Sequence, residues 1–236
     1  MALILHIETA TDVCSVALAD ENGLIDLFES TEGRSHAAIL TVFIEDMLKK
    51  NNIKASNLDA VAVSMGPGSY TGLRIGVSVA KGLCYGANIP LLALPTLQSM
   101  VYGFFRQHQD NPEMISSNTR YCPMIDARRL EVYTALFDNQ GEFTSGIKAE
   151  ILDDHSFEDI LSDHVIYFFG NGSTKCLNLI THPNARFING LNPSARDLIV
   201  LSQKSYQEKD FKDVAYFEPF YLKDFVATTP KNKVIG

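Results

Sequence analysis

The passage from Leu58 to Leu83 constrains this chain most: a Val-rich apolar run ends in Gly66-Pro67-Gly68, and the residues that follow read as a helix carrying several glycines. A short segment apolar at nearly every position is a strand buried on both faces, which is the condition of a parallel sheet. Parallel strands need a crossover, and the helix expected from about Thr71 to Gly86 supplies one. The chain is therefore expected to be α/β. Glycine inside a helix costs about 1 kcal/mol relative to alanine, so Gly72 and Gly76 imply a compensating close approach. With Ala80 they recur every four residues and form one smooth stripe. Two uses fit such a stripe, packing against the chain's own sheet or a face offered to a helix of another subunit.

The flanking segments extend the same pattern. Leu3 to Ile7, Val13 to Ala19 and Leu24 to Phe28 read as three strands, the last two joined at Asn22-Gly23 as a hairpin. Ser35 opens an amphipathic helix whose apolar residues, among them His36, Ile39, Leu40, Phe43, Ile44 and Met47, recur at three and four residues; Asn51-Asn52 ends it. Leu91 to Leu94 is a further short strand, and Pro95 opens a helix to about Arg106. Gln107 to Thr119 has the composition of a linker. Beyond it, Tyr121 to Asp126 and Glu131 to Phe137 restart the hairpin logic. Val165 to Phe169 is another buried strand, leading through Gly170-Asn171-Gly172 into a helix from about Ser173, and Leu198 to Tyr206 is helical. Two related halves, 1–109 and 118–236, are expected, although no repeat is visible in the letters.

Composition narrows the function. Lys+Arg 20 against Asp+Glu 28 gives a net charge of -8, which repels phosphate backbones, and the pair Arg128-Arg129 is not enough to offset it. Any tRNA or other RNA role is therefore expected to pass through a partner. Met1 to Ile7 reads as a strand rather than a signal peptide, and no run is long enough to span a bilayer. Cys14, Cys84, Cys122 and Cys176 lack any C-x-x-C spacing, which fits buried thiols in a reducing, cytoplasmic setting.

Gly66, Pro67, Gly68 and Ser69 form a candidate nucleotide or phosphate loop, since a strand end, a glycine turn and a capping hydroxyl gather backbone N–H groups at one point. The Walker spacing is absent, and ordinary turn chemistry accounts for the same residues. No G-x-S-x-G elbow is present.

Several segments resemble the TsaB (YeaZ) family in order: Ile7-Glu8-Thr9-Ala10-Thr11, the Ser35-His36 helix start, the Gly66 to Leu83 block, Asp126-Ala127-Arg128-Arg129-Leu130-Glu131-Val132-Tyr133, and Glu218-Pro219-Phe220-Tyr221-Leu222. The resemblance implies two RNase H-like subdomains of the actin-like/Hsp70-like/sugar-kinase (ASKHA) fold. It also implies work on threonylcarbamoyladenosine in tRNA beside a TsaD-like catalytic subunit and a TsaE-like ATPase. That catalytic relative uses an H-x-x-x-H pair for metal, and no two of the six histidines here are four apart. Sugar kinases and actin-like ATPases place an Asp and a glycine turn near the N-terminus; here the matching stretch, Glu8 to Asp12, has no glycine.

The expectation is thus a non-catalytic partner subunit. Its docking residues are His36, Ile39, Leu40, Phe43, Gly72, Leu73, Gly76 and Ala80. No metal or cofactor is expected in the isolated chain, with ATP or ADP and Mg entering at the level of the complex, and a homodimer forms when the partner is absent. An ATP-dependent small-molecule kinase of the same superfold is the alternative.

Overall fold

Alternation and turn chemistry decide the first meander. In the computed structural model, which describes residues 2–32 and 35–223, β1 (Ile4–Glu8), β2 (Cys14–Asp20) and β3 (Gly23–Ser30) run antiparallel in sequence order. The β2–β3 corner works because Gly23 takes φ +114, which no other residue adopts comfortably, and the Asn22 N–H donates to Asp20 Oδ1 at 2.7 Å.

Next come α1 (His36–Lys50), β4 (Ala60–Gly66), α2 (Tyr70–Ala87), β5 (Leu91–Pro95) and α3 (Thr96–Gln107). β4 lies parallel to both β1 and β5, so Ala60 to Val63 are covered on both faces and fully buried. α2 begins where Ser69 Oγ accepts from the Gly72 N–H and ends at Asn88 in the left-handed conformation. α1 ends with Lys49 and Lys50 over its free carbonyls, where cations suit the helix dipole.

The second half contains β6 (Thr119–Asp126), β7 (Glu131–Thr134), β8 (Lys148–Ile151), the single turn α4 (Glu158–Leu161), β9 (Val165–Phe169), β10 (Ala185–Ile188) and α5 (Ile199–Gln207). Sheet one has the order β3-β2-β1-β4-β5 and sheet two β8-β7-β6-β9-β10, each a three-stranded antiparallel meander followed by two parallel strands. The same plan is used twice. That order, with the parallel additions on the first strand's far side, is the RNase H-like arrangement expected for the actin-like class.

Two local expectations are corrected. The helix expected from Ser173 is a short 3-10 turn, Ser173–Cys176, because Leu177 to Asn184 has no helical period and ends at Pro183. The strand expected to reach Phe137 stops at Thr134, and Phe137 makes isolated bridges to Tyr121 and Phe143. β8 and β10, four residues each, and α4 carry too little pattern to be read in advance: they exist because β7 and β9 offer them hydrogen-bonding edges. Sheet one falls within 1–109 and sheet two within 118–236, and Leu198, Leu201, Val214 and Phe217 from the end of the chain pack on the first sheet's cores.

The cores follow from these layers. One face of sheet one sets Leu5, Ile7, Val61 and Val63 against Leu40, Ile44 and Met47 of α1 and Val77 and Ala80 of α2. Its other face sets Ile4, Ala60, Ala62, Leu92 and Leu94 against Leu198 and Leu201. Phe104 of α3 joins the halves, with ring centroids 5.1 Å from Tyr121 and 5.2 Å from Phe169.

The last described residues form a strap. Lys212 bridges Leu91, Phe217 packs into the first core, the Phe220 N–H donates to Met65 O at 2.7 Å, and Tyr221 lies 4.7 Å from Tyr70. Lys223 then ion-pairs with Glu131 of the second half.

Candidate functional site

The smooth stripe of α2 is used internally. A Cβ at Gly72 would stand under 3.0 Å from Thr9 O, one at Gly76 under 3.0 Å from Thr9 Oγ1, and one at Gly68 under 3.0 Å from Ala10 O. The helix therefore rests directly on the β1–β2 turn, and Thr9 Oγ1 donates to Gly72 O at 2.8 Å while the Ser69 N–H donates to Ala10 O at 2.7 Å. Gly72, Leu73, Gly76 and Ala80 are buried, as is Leu40 on α1. Within this chain Gly72 and Gly76 close on Thr9, Ala80 and Leu40 belong to the first core, and Leu40 also lines the groove between the two helices. Ile39 and Phe43 are half-buried. His36 donates from Nε2 to Thr11 O at 2.7 Å, which ties the start of α1 to the same turn.

The two helices offer a different face outward. Ala37, Ala38, Thr41 and Val42 on α1 and Thr71, Arg74, Ser78 and Gly82 on α2 are exposed, Val42 by 48%, and Tyr85 stands 85% exposed near the end of α2. Between them runs a groove of ≈ 320 Å³ lined by the apolar Leu40, Ile75 and Val79, the small Ala37, Thr41 and Ser78, and the exposed Arg74. Small residues beside apolar ones admit the ridge of another helix. A smaller hollow of ≈ 200 Å³, lined by Thr11, Asp12, Ser35, His36, Ser69 and Thr71, opens at the two helix starts.

Gly66 to Ser69 does not stand free as a phosphate cradle would. A Cβ on Gly66 would lie 2.7 Å from Phe220 O of the strap, Gly68 backs onto Ala10, and Ser69 spends its N–H on Ala10 and its hydroxyl on the helix cap. Gly170 and Gly172 do the same in the second half: their missing side chains let the turn close on Met124 O and on the backbone of Ile125 and Asp126. The Asp126 N–H donates to Asn171 Oδ1 at 2.9 Å.

Glu8 is the titratable group that the sequence left undervalued. It ends β1 fully buried, with Oε1 accepting from the Ala10 N–H at 2.6 Å and from Ser64 Oγ at 3.0 Å, while Oε2 has no partner. Burial pushes its pKa from 4.5 up to about 7. Two residues earlier, His6 bonds Ser202 Oγ at 2.7 Å, and burial lowers it to about 4, so it is neutral. Nearby, Asp197 is clamped by Arg106 at 2.8 Å, yet burial still raises its pKa. Residues 194 to 202 thus cover this face of sheet one, with the Ala195 N–H donating to Ser15 Oγ at 3.0 Å, Ser202 on the neutral His6 of β1, Asp197 held by Arg106, and Leu198 and Leu201 in the core. Among the described residues no group of three or more His, Cys, Asp or Glu could hold a metal ion. All four cysteines are buried and unpaired, and no described helix is long and apolar enough to cross a membrane. Arg128 does not pair with Glu131, which is held by Lys223 instead.

Two RNase H-like sheets built on one plan, the first covered by α1 and α2, define an α/β protein of the actin-like class. The family model described as "TsaD: tRNA N6-adenosine threonylcarbamoyltransferase" matches residues 29–231. The TsaB protein of Escherichia coli K12, a "tRNA threonylcarbamoyladenosine biosynthesis protein", is 32% identical over 95% of this chain and 96% of its own length. That of Haemophilus influenzae is 27% identical over 94% of both. YeaZ from Pseudomonas aeruginosa superposes with a TM-score of 0.79 at 26% identity, covering 94% of this chain and 100% of that one. The chain belongs to this family, within its TsaB (YeaZ) branch.

Proposed function

We propose that this chain takes part in making threonylcarbamoyladenosine in tRNA as a non-catalytic subunit, docking a TsaD-like transferase through the outward face of α1 and α2. A TsaE-like ATPase joins the pair, and ATP or ADP and Mg act in the assembly rather than in this chain. The observation that carries the reading is the groove that Leu40, Ile75 and Val79 line: it is largely apolar, flanked by the small Ala37, Thr41 and Ser78 with Arg74 at its side, and offered by two helices packed on the first core. The covering of the opposite face of sheet one by residues 194 to 202 supports the non-catalytic part, because a kinase of this superfold needs that space for nucleotide. When the transferase is absent the same face serves a homodimer.

Glutamates in the groove lining test this. Ala37→Glu with Ser78→Glu places two like charges in an apolar seam, and co-elution with the transferase relative is expected to weaken by at least about ten-fold. Both positions are on the outer face, so the melting temperature of the variant should stay within about 2 °C of the parent. Undiminished co-elution would rule out this face. Calorimetry with Mg-ATP on the chain alone separates the kinase reading, which requires micromolar binding.

A further inference from the structure

The hairpin tip between β6 and β7 carries the Asp126 to Tyr133 segment singled out in the sequence, and docking through α1 and α2 leaves it without a role. Arg128 and Arg129 both stand in the left-handed region, at φ 71 and φ 52, and are exposed. Side chains disfavour that backbone, and glycine or asparagine would relieve it. The fold adds two more cations that are remote in sequence. Lys175 reaches Asp126 Oδ1 at 2.7 Å and Glu131 O at 2.9 Å, and Lys223, brought by the strap, pairs with Glu131 and sits 5.9 Å from the Tyr133 ring.

The consequence is electrostatic. Lys175 pairs with Asp126 and Lys223 with Glu131, the Arg128 N–H donates to Asp126 Oδ1 at 2.6 Å, and Arg128 and Arg129 are themselves exposed beside Leu130, which is 56% exposed. At the tip itself the four cations Arg128, Arg129, Lys175 and Lys223 stand against the two carboxylates Asp126 and Glu131, on a chain of net charge -8; Asp153 and Asp154 follow the end of β8. Tertiary structure assembles a patch that linear spacing does not contain.

We infer that this hairpin tip contacts the phosphate backbone of RNA, with Arg128 and Arg129 as the phosphate ligands and Lys175 and Lys223 neutralising the acids beneath them. Guanidinium forks match phosphate oxygens in geometry, and two of them side by side, above acids already paired with lysine, add affinity without reading bases. The inference rests on the tRNA-modification reading above and extends it to a direct contact.

The experiment is fluorescence anisotropy of labelled tRNA with the intact chain across a salt series starting near about 50 mM. In R128Q/R129Q the affinity is expected to fall about ten-fold and the slope of log K against log salt to shrink by about two. R128G/R129G removes the same charges and also relaxes the backbone, so its melting temperature should rise by about 2–4 °C while its RNA affinity falls equally. Unchanged affinity and slope in both variants would overturn the inference, as would an absence of binding by the parent at the lowest salt. Loss of co-elution with the transferase relative at unchanged RNA affinity would also overturn it and mark the tip as a protein contact. Co-elution of the unmutated chain tests the docking reading separately, so either can fail while the other stands.

Discussion

Alanine at position 72 is expected to destabilise the protein by about 3 kcal/mol, even though alanine is the better helix former by about 1 kcal/mol. The added methyl would fall under 3.0 Å from Thr9 O, a backbone atom of the β1 end that cannot swing aside. The helix would have to lift from the sheet and strand the bond from Thr9 Oγ1 to Gly72 O. Gly76→Ala is a useful contrast, because there the methyl meets the Thr9 side-chain hydroxyl rather than backbone. Thr9→Ala should therefore restore part of the stability lost by Gly76→Ala and none of that lost by Gly72→Ala. Urea titrations of the two double-mutant cycles measure this. Equal rescue at both positions would mean that the stripe does not rest on Thr9 as described.

The second large effect is pH-dependent and belongs to Glu8. Its folded pKa, about 7, lies above the ordinary 4.5, so the folded state holds the proton more tightly than the unfolded chain. Stability from this group is fully present below the ordinary value and is lost as pH rises towards and through about 7. The loss amounts to about 3 kcal/mol by linkage. Glu8→Gln keeps an oxygen for the Ala10 N–H and Ser64 Oγ and removes the charge. After allowing for an amide N–H where Oε2 has no partner, the variant should be about 1–2 kcal/mol more stable than the parent at pH 8.

His6 runs the other way. Its folded value of about 4 lies below the ordinary 6.5, so stability is lost as pH falls from 6.5 towards 4. The two slopes oppose each other over the range they share, which predicts a nearly flat parent profile there. In Glu8→Gln the His6 slope is unmasked, and stability should climb from pH 4 to about 6.5 and then level. A variant profile parallel to the parent's would show that Glu8 is not buried as a neutral acid.

Much of the scaffold was legible from local chemistry. Asn22-Gly23 marked the first hairpin, the Val-rich run into Gly66-Pro67-Gly68 marked a parallel strand and its crossover, and Val165 to Phe169 was bounded to the residue, because each signal lies within a few neighbours. β8 and β10 were not legible, since four-residue edge strands take their form from partners far along the chain.

The functional features divide along the same line. By itself the sequence determined that Gly72, Gly76 and Ala80 share one side of a helix, that no histidine pair stands at metal spacing, and that the chain is acidic overall. Only the tertiary structure decided that the smooth side turns inward onto Thr9, leaving Ala37, Thr41 and Ser78 to face outward. The fold likewise decided that Glu8 is sealed and that Lys175 and Lys223 meet the arginine tip. The reason is physical: helical period fixes which residues share a face, whereas the direction of that face and the company of a charge are set by contacts between residues distant in the chain.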